Sequence, residues 1–426
     1  MSRDFLANAR AIESLRSGVP TTTAVSLLGC SQPRITKRFQ NALEIAKRGG
    51  ISDSKCSGVL IKGGFGSGKS HALSFLAHTA AQQGFVVSRI SINKETPLSN
   101  PDKLFCALAE SAELPDRSGA GLFEAGHALS VESDGFKALE LWSRSEQDLD
   151  TRLSATLQLY RLGRRNYEMR DQILRFWSGD PLGVSFVKSC MKSMGMPCHG
   201  PLRTVPSRQL GFQRPRFASR LLRAAGYSGW VWLIDEVETI ASYSLLQRMR
   251  SYSQIGIMLG ESSSLDCPGV VPVVAITDDF ESYVLRDKRD AVFMPEYFRQ
   301  RCQIGVEDPK SPPQAGILAI KSSGILLEAL GDSDVEELYF KIREMYRVAY
   351  NWDPPKNDFR TSASSTTIRQ RIKYWVTAWD IQRLVGPAEF QIEAQPIEYK
   401  YIESLPDETE RSNDESMIEE IMRGLG

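Results

Sequence analysis

Short apolar runs alternate with longer amphipathic stretches along the first two-thirds of the chain. The strongest runs lie at residues 59–61, 85–92, 231–234 and 270–276, and each has the aliphatic composition of a buried strand. A helical pattern separates the first two runs, and strand, helix and strand at this spacing predict a parallel βαβ unit. With a weaker run at 302–306, the pattern predicts an α/β fold whose central parallel sheet has about five strands.

A glycine-rich loop follows the first run and fits the Walker A pattern, G-x-x-x-x-G-K-[ST], between a strand and a helix. This loop is called the P-loop below. Glycines let backbone N–H groups turn toward a phosphate, and the next helix presents its positive N-terminus to the same anion. Lys69 is expected to reach the β- and γ-phosphates, and the Ser70 hydroxyl to ligate Mg²⁺. The predicted binding residues are Gly63, Gly64, Phe65, Gly66, Ser67, Gly68, Lys69, Ser70 and His71.

Two carboxylates, Asp235 and Glu236, follow the third run, and Thr277 follows the fourth. Open α/β sheets place their ligands at the carboxyl ends of the strands. Asp235 is expected to hold the Mg²⁺ shell, and Glu236 to orient and polarise an attacking water. Thr277 is expected at the same edge, within reach of the γ-phosphate or the water. Loop and strand ends together predict an enzyme that binds and hydrolyses ATP.

Arginines beside the fifth run are expected at the domain rim, from where one could reach the nucleotide of a neighbouring subunit in a homo-oligomer. Arg301 is preferred to Arg299 because it lies nearer the predicted strand. Arg286 and Arg289 stay open as alternatives.

The N-terminal segment predicts helices at 5–18, 24–28 and 31–39. This segment also fits the sequence pattern of a helix-turn-helix. In that pattern a glycine-containing turn joins two helices, and the second helix carries polar and basic residues such as Gln, Arg, Thr and Lys. The preferred interpretation is a helical lead-in to the nucleotide domain, with the turn at Val19 and Pro20 packed over the base.

Residues 110–228 are too long for a simple crossover and predict an insertion, with helices at 135–145, 149–162 and 166–177 and a looser stretch at 179–211. Arginines with interleaved aromatic residues are compatible with contacts to a DNA backbone, although a solvated helix face is the preferred interpretation. These arginines are Arg161, Arg164, Arg165, Arg170 and Arg175.

Helical spacing over 312–350 and 365–385 predicts a lid, with Arg369 near the start of its last helix. The chain then becomes polar and acidic. The predicted units are a helical lead-in (1–50), a P-loop core (51–310), a helical lid (311–385) and an acidic tail (386–426).

The amino-acid composition says little about which classes of molecule the protein binds. The 426 residues include 52 Lys+Arg and 52 Asp+Glu, so bulk charge indicates neither nucleic acid nor membrane as partner. No apolar run approaches the ~20 residues of a membrane span and the N-terminus has no signal-peptide core, so a cytoplasmic protein is expected. The seven cysteines are scattered, without zinc-site spacing.

These motifs resemble those of known ATPases. The P-loop, the Asp-Glu pair, the polar residue after the next strand and the lid together resemble an AAA+ ATPase of the origin-recognition/Cdc6-like type, where a strand ending in Ile-Asn precedes the insertion, as Ile92 and Asn93 do here. Residues 11–20, 63–71 and 91–98 are similar to the ATP-binding BrxC/BrxD family of BREX phage-defence systems, and the chain length suits its shorter kind of member.

The resemblance implies an ATP- and Mg²⁺-dependent component of bacterial antiviral defence that acts on or with DNA and other BREX components. By the same resemblance, Asn93 would be a switch that holds Glu236 idle, Thr277 the first sensor, Arg369 the second sensor and Arg301 the arginine finger. Two other functions stay open: a non-enzymatic ATP-dependent scaffold or switch, and a DNA-binding regulator with ATP as effector.

Overall fold

A six-stranded β-sheet lies at the centre of the computed structural model, which describes residues 3–18, 21–49, 58–117, 121–196, 202–262, 265–356 and 367–386. The strands are Val59–Lys62 (β1), Phe85–Ser91 (β2), Ala112–Glu113 (β3), Gly229–Asp235 (β4), Val270–Ile276 (β5) and Ile325–Leu326 (β6). Their order is β3-β2-β4-β5-β1-β6, with β3 antiparallel to β2 and the other pairs parallel. The predicted α/β fold is confirmed, and the central sheet, predicted as parallel with about five strands, has six strands and is mostly parallel.

The central strands are apolar because helices cover both faces of a parallel sheet. Every residue of β4 and β5 is buried. The register places Ser91 opposite Asp235 and Lys62 opposite Ile276, so β2, β4, β5 and β1 all end at one edge of the sheet. The P-loop and the strand-end polar residues therefore lie side by side.

Several helices begin where a polar side chain caps the first N–H groups, as Asn100 does for Asp102 and Lys103. The helices are Arg3–Ser17 (α1), Thr22–Leu28 (α2), Pro33–Arg48 (α3), Lys69–Gln82 (α4), Pro101–Glu110 (α5), Leu122–His127 (α6), Asp134–Ser145 (α7), Thr151–Leu162 (α8), Tyr167–Ser178 (α9), Val184–Ser193 (α10), Ser207–Ala224 (α11), Leu245–Leu259 (α12), Asp290–Gln303 (α13), Pro313–Ser322 (α14), Asp332–Tyr350 (α15) and Ile368–Leu384 (α16). A 3-10 helix, Val237–Ser242, follows β4, and a π-helical turn, Glu281–Arg286, follows β5.

The N-terminal helices divide between two layers. Ile12 of α1 is buried in a cluster with Tyr339 of α15 and Trp379 of α16. Phe39 of α3 instead packs against the sheet. Within the predicted lead-in (1–50), α1 and α2 therefore pack with α15 and α16 of the predicted lid, and α3 packs with the sheet.

Within the span predicted as an insertion, helices α7 to α10 share a second hydrophobic core, which includes Tyr160 and Trp177, while α6 buries Leu122 and Ala125 in the main core. Helix α11 closes the second core with Phe217, while its Leu222 packs into the main core. The three helices predicted between 135 and 177 are confirmed as α7, α8 and α9, with ends that differ by two residues or fewer.

Two predictions of local structure are wrong. The stretch 179–211 contains α10 and the start of α11. No strand forms at 302–306, because α13 continues to Gln303 and a turn with Gly305 at φ 74° follows. The buried face of α13 includes Phe293, Met294, Tyr297, Phe298 and Arg301. The short run at 302–306 thus contains the end of a helix, and periodicity alone does not distinguish such a run from a strand.

The outer parallel strand is β6, which pairs with β1 at positions predicted to be helical. Helix α14 buries Ile317 and Ile320 in the main core. The predicted boundary at 311 assigns α14 and β6 to the lid, whereas both pack with the core. In the parts of the chain that the structure describes, no helix combines the length and apolarity needed to cross a membrane.

Candidate nucleotide site

The P-loop connects β1 to α4 at the edge where the parallel strands end. Gly66 and Gly68 have φ of 71° and 105°, left-handed values that glycine adopts without strain. The Lys69 ammonium donates to the carbonyl oxygens of Gly63 and Gly64 at 2.5 and 3.1 Å. The lysine therefore lies folded over the loop, along the concave side on which a phosphate would bind.

Asp235 and Ser70 meet beside the loop. The Ser70 hydroxyl donates to Asp235 Oδ2 at 3.2 Å, and Asp235 is only 6% exposed. A hydroxyl and a carboxylate converging on one point offer the hard oxygen donors that Mg²⁺ prefers. The two residues that sequence reasoning assigned to the metal are brought together, and their donor chemistry fits it.

Glu236 begins the turn after β4 in a left-handed conformation, with φ 58° and ψ 33°. Its backbone N–H donates to Asp235 Oδ1 at 3.0 Å, which fixes the turn while the side chain stays exposed. Partial desolvation of its carboxyl and the charge of Asp235 raise the pKa of Glu236, and Lys69 and Arg89 act against this. Non-glycine residues held in this backbone conformation cluster at functional sites, which makes the turn after β4 a candidate for one.

Two polar residues near this edge were missed. Arg89 of β2 lies within reach of Asp235, with Nη2 at 3.6 Å from Oδ2. Glu238 is buried, burial raises its pKa, and its Oε2 has no hydrogen-bond partner among the described residues. The period-2 pattern of β2 could have indicated Arg89, since it is a charged residue inside an otherwise apolar strand.

The residues after β5 also reach the site. Thr277 is buried at the end of β5, on the predicted edge. Asp278, which sequence analysis did not single out, approaches the loop so closely that a Cβ on Gly64 would lie 3.6 Å from its Oδ2. The sensor role of Thr277 stays a prediction.

Asn93 lies two residues beyond β2 and is used within its own turn. Its Oδ1 accepts hydrogen bonds from the N–H groups of Glu95 and Thr96, both at 2.8 Å. Its carbonyl oxygen accepts from the Tyr243 hydroxyl. The side-chain oxygen therefore caps the loop, and in the predicted switch the Glu236 carboxylate would accept a hydrogen bond from the other end of the amide, Asn93 Nδ2.

A cleft opens between the P-loop, the N-terminal helices and the lid. Apolar side chains line its inner part: Leu15, Leu28, Leu327, Leu330, Leu338, Ile368 and Ile372. Arg369 lines it from the lid, and Thr367, which caps α16, comes within 3.0 Å of where a Gly66 Cβ would lie. The N-terminus of α16 thus faces the loop. Val19 and Pro20, predicted to contact the base, lie outside the described residues.

Two tethers connect the cleft walls. His71 Nε2 donates to the Gly29 carbonyl at 2.7 Å, and burial lowers the pKa of this imidazole, which favours its neutral form. The Gln32 side chain exchanges two hydrogen bonds with the backbone of Glu328, each 2.9 Å long. The turn after α2 is thereby bound to both the P-loop helix and the segment after β6.

The two arginines expected at the rim lie in different surroundings. Arg301 is 7% exposed, and its Nε lies 3.9 Å from a carboxylate oxygen of Glu307. Arg299 is well exposed and pairs with Glu296 of its own helix. The placement that favoured Arg301, just before a strand at the rim, is wrong because that strand is absent. Arg299 is the one of the two that points to solvent.

Among known families, the model described as BREX system ATP-binding protein BrxC/D matches residues 7–125 and 215–379, more than half of the chain. The matched segments contain the P-loop, Asp235, Glu236 and Arg369, and they leave out most of the insertion. Searches of curated proteins and of solved structures found no match.

Proposed function

The chain belongs to the BREX system ATP-binding protein BrxC/D family, and on this premise we propose that it is an AAA+-type, BrxD-like ATPase of BREX phage defence. The observation that carries the proposal is the hydrogen bond from the Ser70 hydroxyl to Asp235. It joins the P-loop helix to the strand end that supplies Glu236. Phosphate cradle, metal-binding oxygens and a carboxylate for the water then share one edge.

Binding would begin with the phosphates. The N–H groups of the loop and the N-terminus of α4 attract the β- and γ-phosphates. Lys69 would leave the carbonyls of Gly63 and Gly64 and move its three donors to phosphate oxygens. The base would enter the apolar cleft, and Arg369 would approach the phosphates from the lid.

Ser70 and Asp235 would hold Mg²⁺, which supplies charge neutralisation for the phosphates when bound. Glu236 lies one residue beyond Asp235 and would accept a hydrogen bond from the attacking water, orienting it in line with the γ-phosphate.

A homo-oligomer would supply a further positive charge from a neighbour. Arg299 is suited to this role because it is exposed and its partner Glu296 is on the same helix. A transferred arginine would stabilise the charge that develops on the γ-phosphate. Mixing Arg299→Ala with Glu236→Gln subunits, each inactive alone, should restore part of the turnover. Failure to complement in confirmed oligomers would favour hydrolysis within single subunits.

One observation favours an alternative, an ATP-dependent switch that signals to partners. Helices α1, α2, α15 and α16 share one buried cluster, so the N-terminal helices would move with the lid when nucleotide closes the cleft. Such a switch needs binding and only slow hydrolysis.

The test is ATP hydrolysis by the purified chain with and without Mg²⁺ and DNA. We expect Mg²⁺-dependent phosphate release that Lys69→Ala abolishes through loss of nucleotide binding. Rate stimulation by DNA that weakens with salt would support action on DNA through its backbone. Tight ATP binding without turnover under all these conditions would favour the switch.

A further inference from the structure

Arg89 occupies a position between the two halves of the proposed metal site. It lies on β2, two residues before Ser91, whose register partner on β4 is Asp235. Its Nη1 donates to the Ser74 hydroxyl of α4 at 2.7 Å, and its Nη2 donates to the Ser70 carbonyl at 3.5 Å. The guanidinium therefore braces the P-loop helix from the neighbouring strand.

The same guanidinium faces the metal-binding carboxylate. Arg89 Nη2 lies 3.6 Å from Asp235 Oδ2, the oxygen that also accepts the Ser70 hydroxyl at 3.2 Å. A cation and the hydroxyl of a metal ligand thus share one carboxylate oxygen. This oxygen is the one on which Mg²⁺ would converge with Ser70.

We propose that Arg89 is a positioning residue that holds Asp235 toward Ser70 and keeps a positive charge beside the place where Mg²⁺ would bind, which lowers the affinity of the site for the metal. This inference rests on the proposed function. Its two bonds to α4 hold the guanidinium when Mg²⁺ arrives, so the positive charge stays near the metal. The site would then bind Mg²⁺ well only together with the negative charge of ATP.

The other cation of the site would not share this role. The Lys69 ammonium donates to the carbonyl oxygens of Gly63 and Gly64 and would turn to the phosphates. Arg89 would then be the cation that remains beside Asp235.

Arg89→Met removes the charge and keeps most of the side-chain length, and Arg89→Lys restores a charge. ATP affinity would be measured with a fluorescent ATP analogue, first in EDTA and then over a series of Mg²⁺ concentrations. We expect Arg89→Met to reach half-saturation at a Mg²⁺ concentration on the order of tenfold lower, because a unit charge near a divalent cation is removed. Arg89→Lys should stay near wild type. Arg175→Met, which removes an exposed arginine of the insertion, is the matched control and should match wild type.

An unchanged or higher Mg²⁺ requirement in Arg89→Met overturns the inference, since a purely structural brace would not lower it. If Arg89→Met does not fold, Arg89→Gln, which keeps a donor for Ser74, decides by the same criterion. The two proposals fail separately. Wild type that binds no nucleotide refutes the proposed function, whereas wild type with normal Mg²⁺ dependence and no shift in the variants refutes only the role of Arg89.

Discussion

The nucleotide cleft and the helical insertion use polar side chains in opposite ways. At the cleft, Ser70 of α4 and Asp235 of β4 converge on one point although they are distant in sequence. In the insertion, charged residues neutralise one another across neighbouring helices, as Arg161 of α8 does with Glu140 of α7. Converging oxygens create a place for a ligand, whereas paired charges leave a surface that water solvates.

The two regions also differ in how they are attached. The family match runs to residue 125 and resumes at 215, so the insertion lies largely between the matched segments. Helix α11 joins the cores, with Phe217 on the insertion side and Leu222 on the sheet side. Most of the insertion therefore packs in a different hydrophobic core from the strands whose ends position the cleft residues.

The largest effects are expected at two tryptophans with matched surroundings. Trp177 in the insertion donates to the Thr156 hydroxyl at 2.9 Å, and Trp230 in β4 donates to the Ser88 hydroxyl at 2.8 Å. Both are fully buried, so each change to Ala should cost about 3–5 kcal/mol of unfolding free energy. We expect Trp177→Ala to retain ATP affinity and Trp230→Ala to lose it. Denaturant titration measures the unfolding free energy, and a nucleotide-binding assay measures the ATP affinity. An equal loss of ATP affinity in the two variants would show that packing in the insertion also maintains the cleft.

The next effect concerns catalysis at the cleft. Glu236→Gln should keep ATP affinity while turnover falls by on the order of a hundredfold or more, because the amide no longer accepts the proton of the water as a carboxylate does. Glu140→Gln in the insertion is the control, since Glu140 is a buried carboxylate paired with Arg144 and Arg161. Its turnover should equal that of wild type. Comparable rates for Glu236→Gln and wild type would remove the catalytic assignment.

Sequence patterns identified the parts of the site that depend on short stretches. The P-loop and the carboxylates after β4 are local signals: a strand, a turn and the residues that follow it. The cleft wall could not be predicted in the same way, because α1 meets α15 and α16 through tertiary contacts between distant parts of the chain. Among these contacts are the buried cluster that contains Ile12 and Trp379 and the ion pair of Arg16 with Asp380. Arg89 was missed for a related reason, since its partners Ser74 and Asp235 lie on other elements.

The wrong strand at 302–306 shows the limit of local patterns. A five-residue apolar run fits the end of a helix as well as a strand, and Gly305 ends α13 there. The true outer strand, Ile325–Leu326, has only two residues and carries almost no periodicity. Arg301 was preferred to Arg299 because it lies nearer the strand expected at 302–306. Since that strand is absent, the reason for the preference is absent too.

A smaller effect is expected at Arg301, inside the core. It lies beside the Glu307 carboxylate, which also pairs with Arg208 and Arg250 at 2.9 and 2.7 Å. Arg301→Ala should lower the unfolding free energy by about 1–3 kcal/mol, because one charged partner is removed from a desolvated carboxylate that keeps two others. Thermal unfolding measures this, with the exposed Arg299→Ala as a control that should unfold like wild type. Full stability of Arg301→Ala would show that the cluster around Glu307 does not depend on it.

The smallest effect is expected at the arginine surface of the insertion. Arg164 pairs with Glu132, and both side chains are largely exposed. Arg164→Ala should change the unfolding free energy by less than about 1 kcal/mol, since water replaces an exposed ion pair at little cost.

DNA affinity, measured over a salt series, decides between a solvated face and a phosphate-binding surface. Because Arg161 and Arg164 are already neutralised by glutamates, we expect Arg164→Ala to leave both the affinity and its salt dependence unchanged. A phosphate-binding role for Arg164 would instead weaken binding and reduce the salt slope by about 0.9 for each phosphate that the variant no longer neutralises. That outcome would show that the insertion also binds a ligand. The two regions would then differ in the ligand that they bind, DNA at the insertion and nucleotide at the cleft.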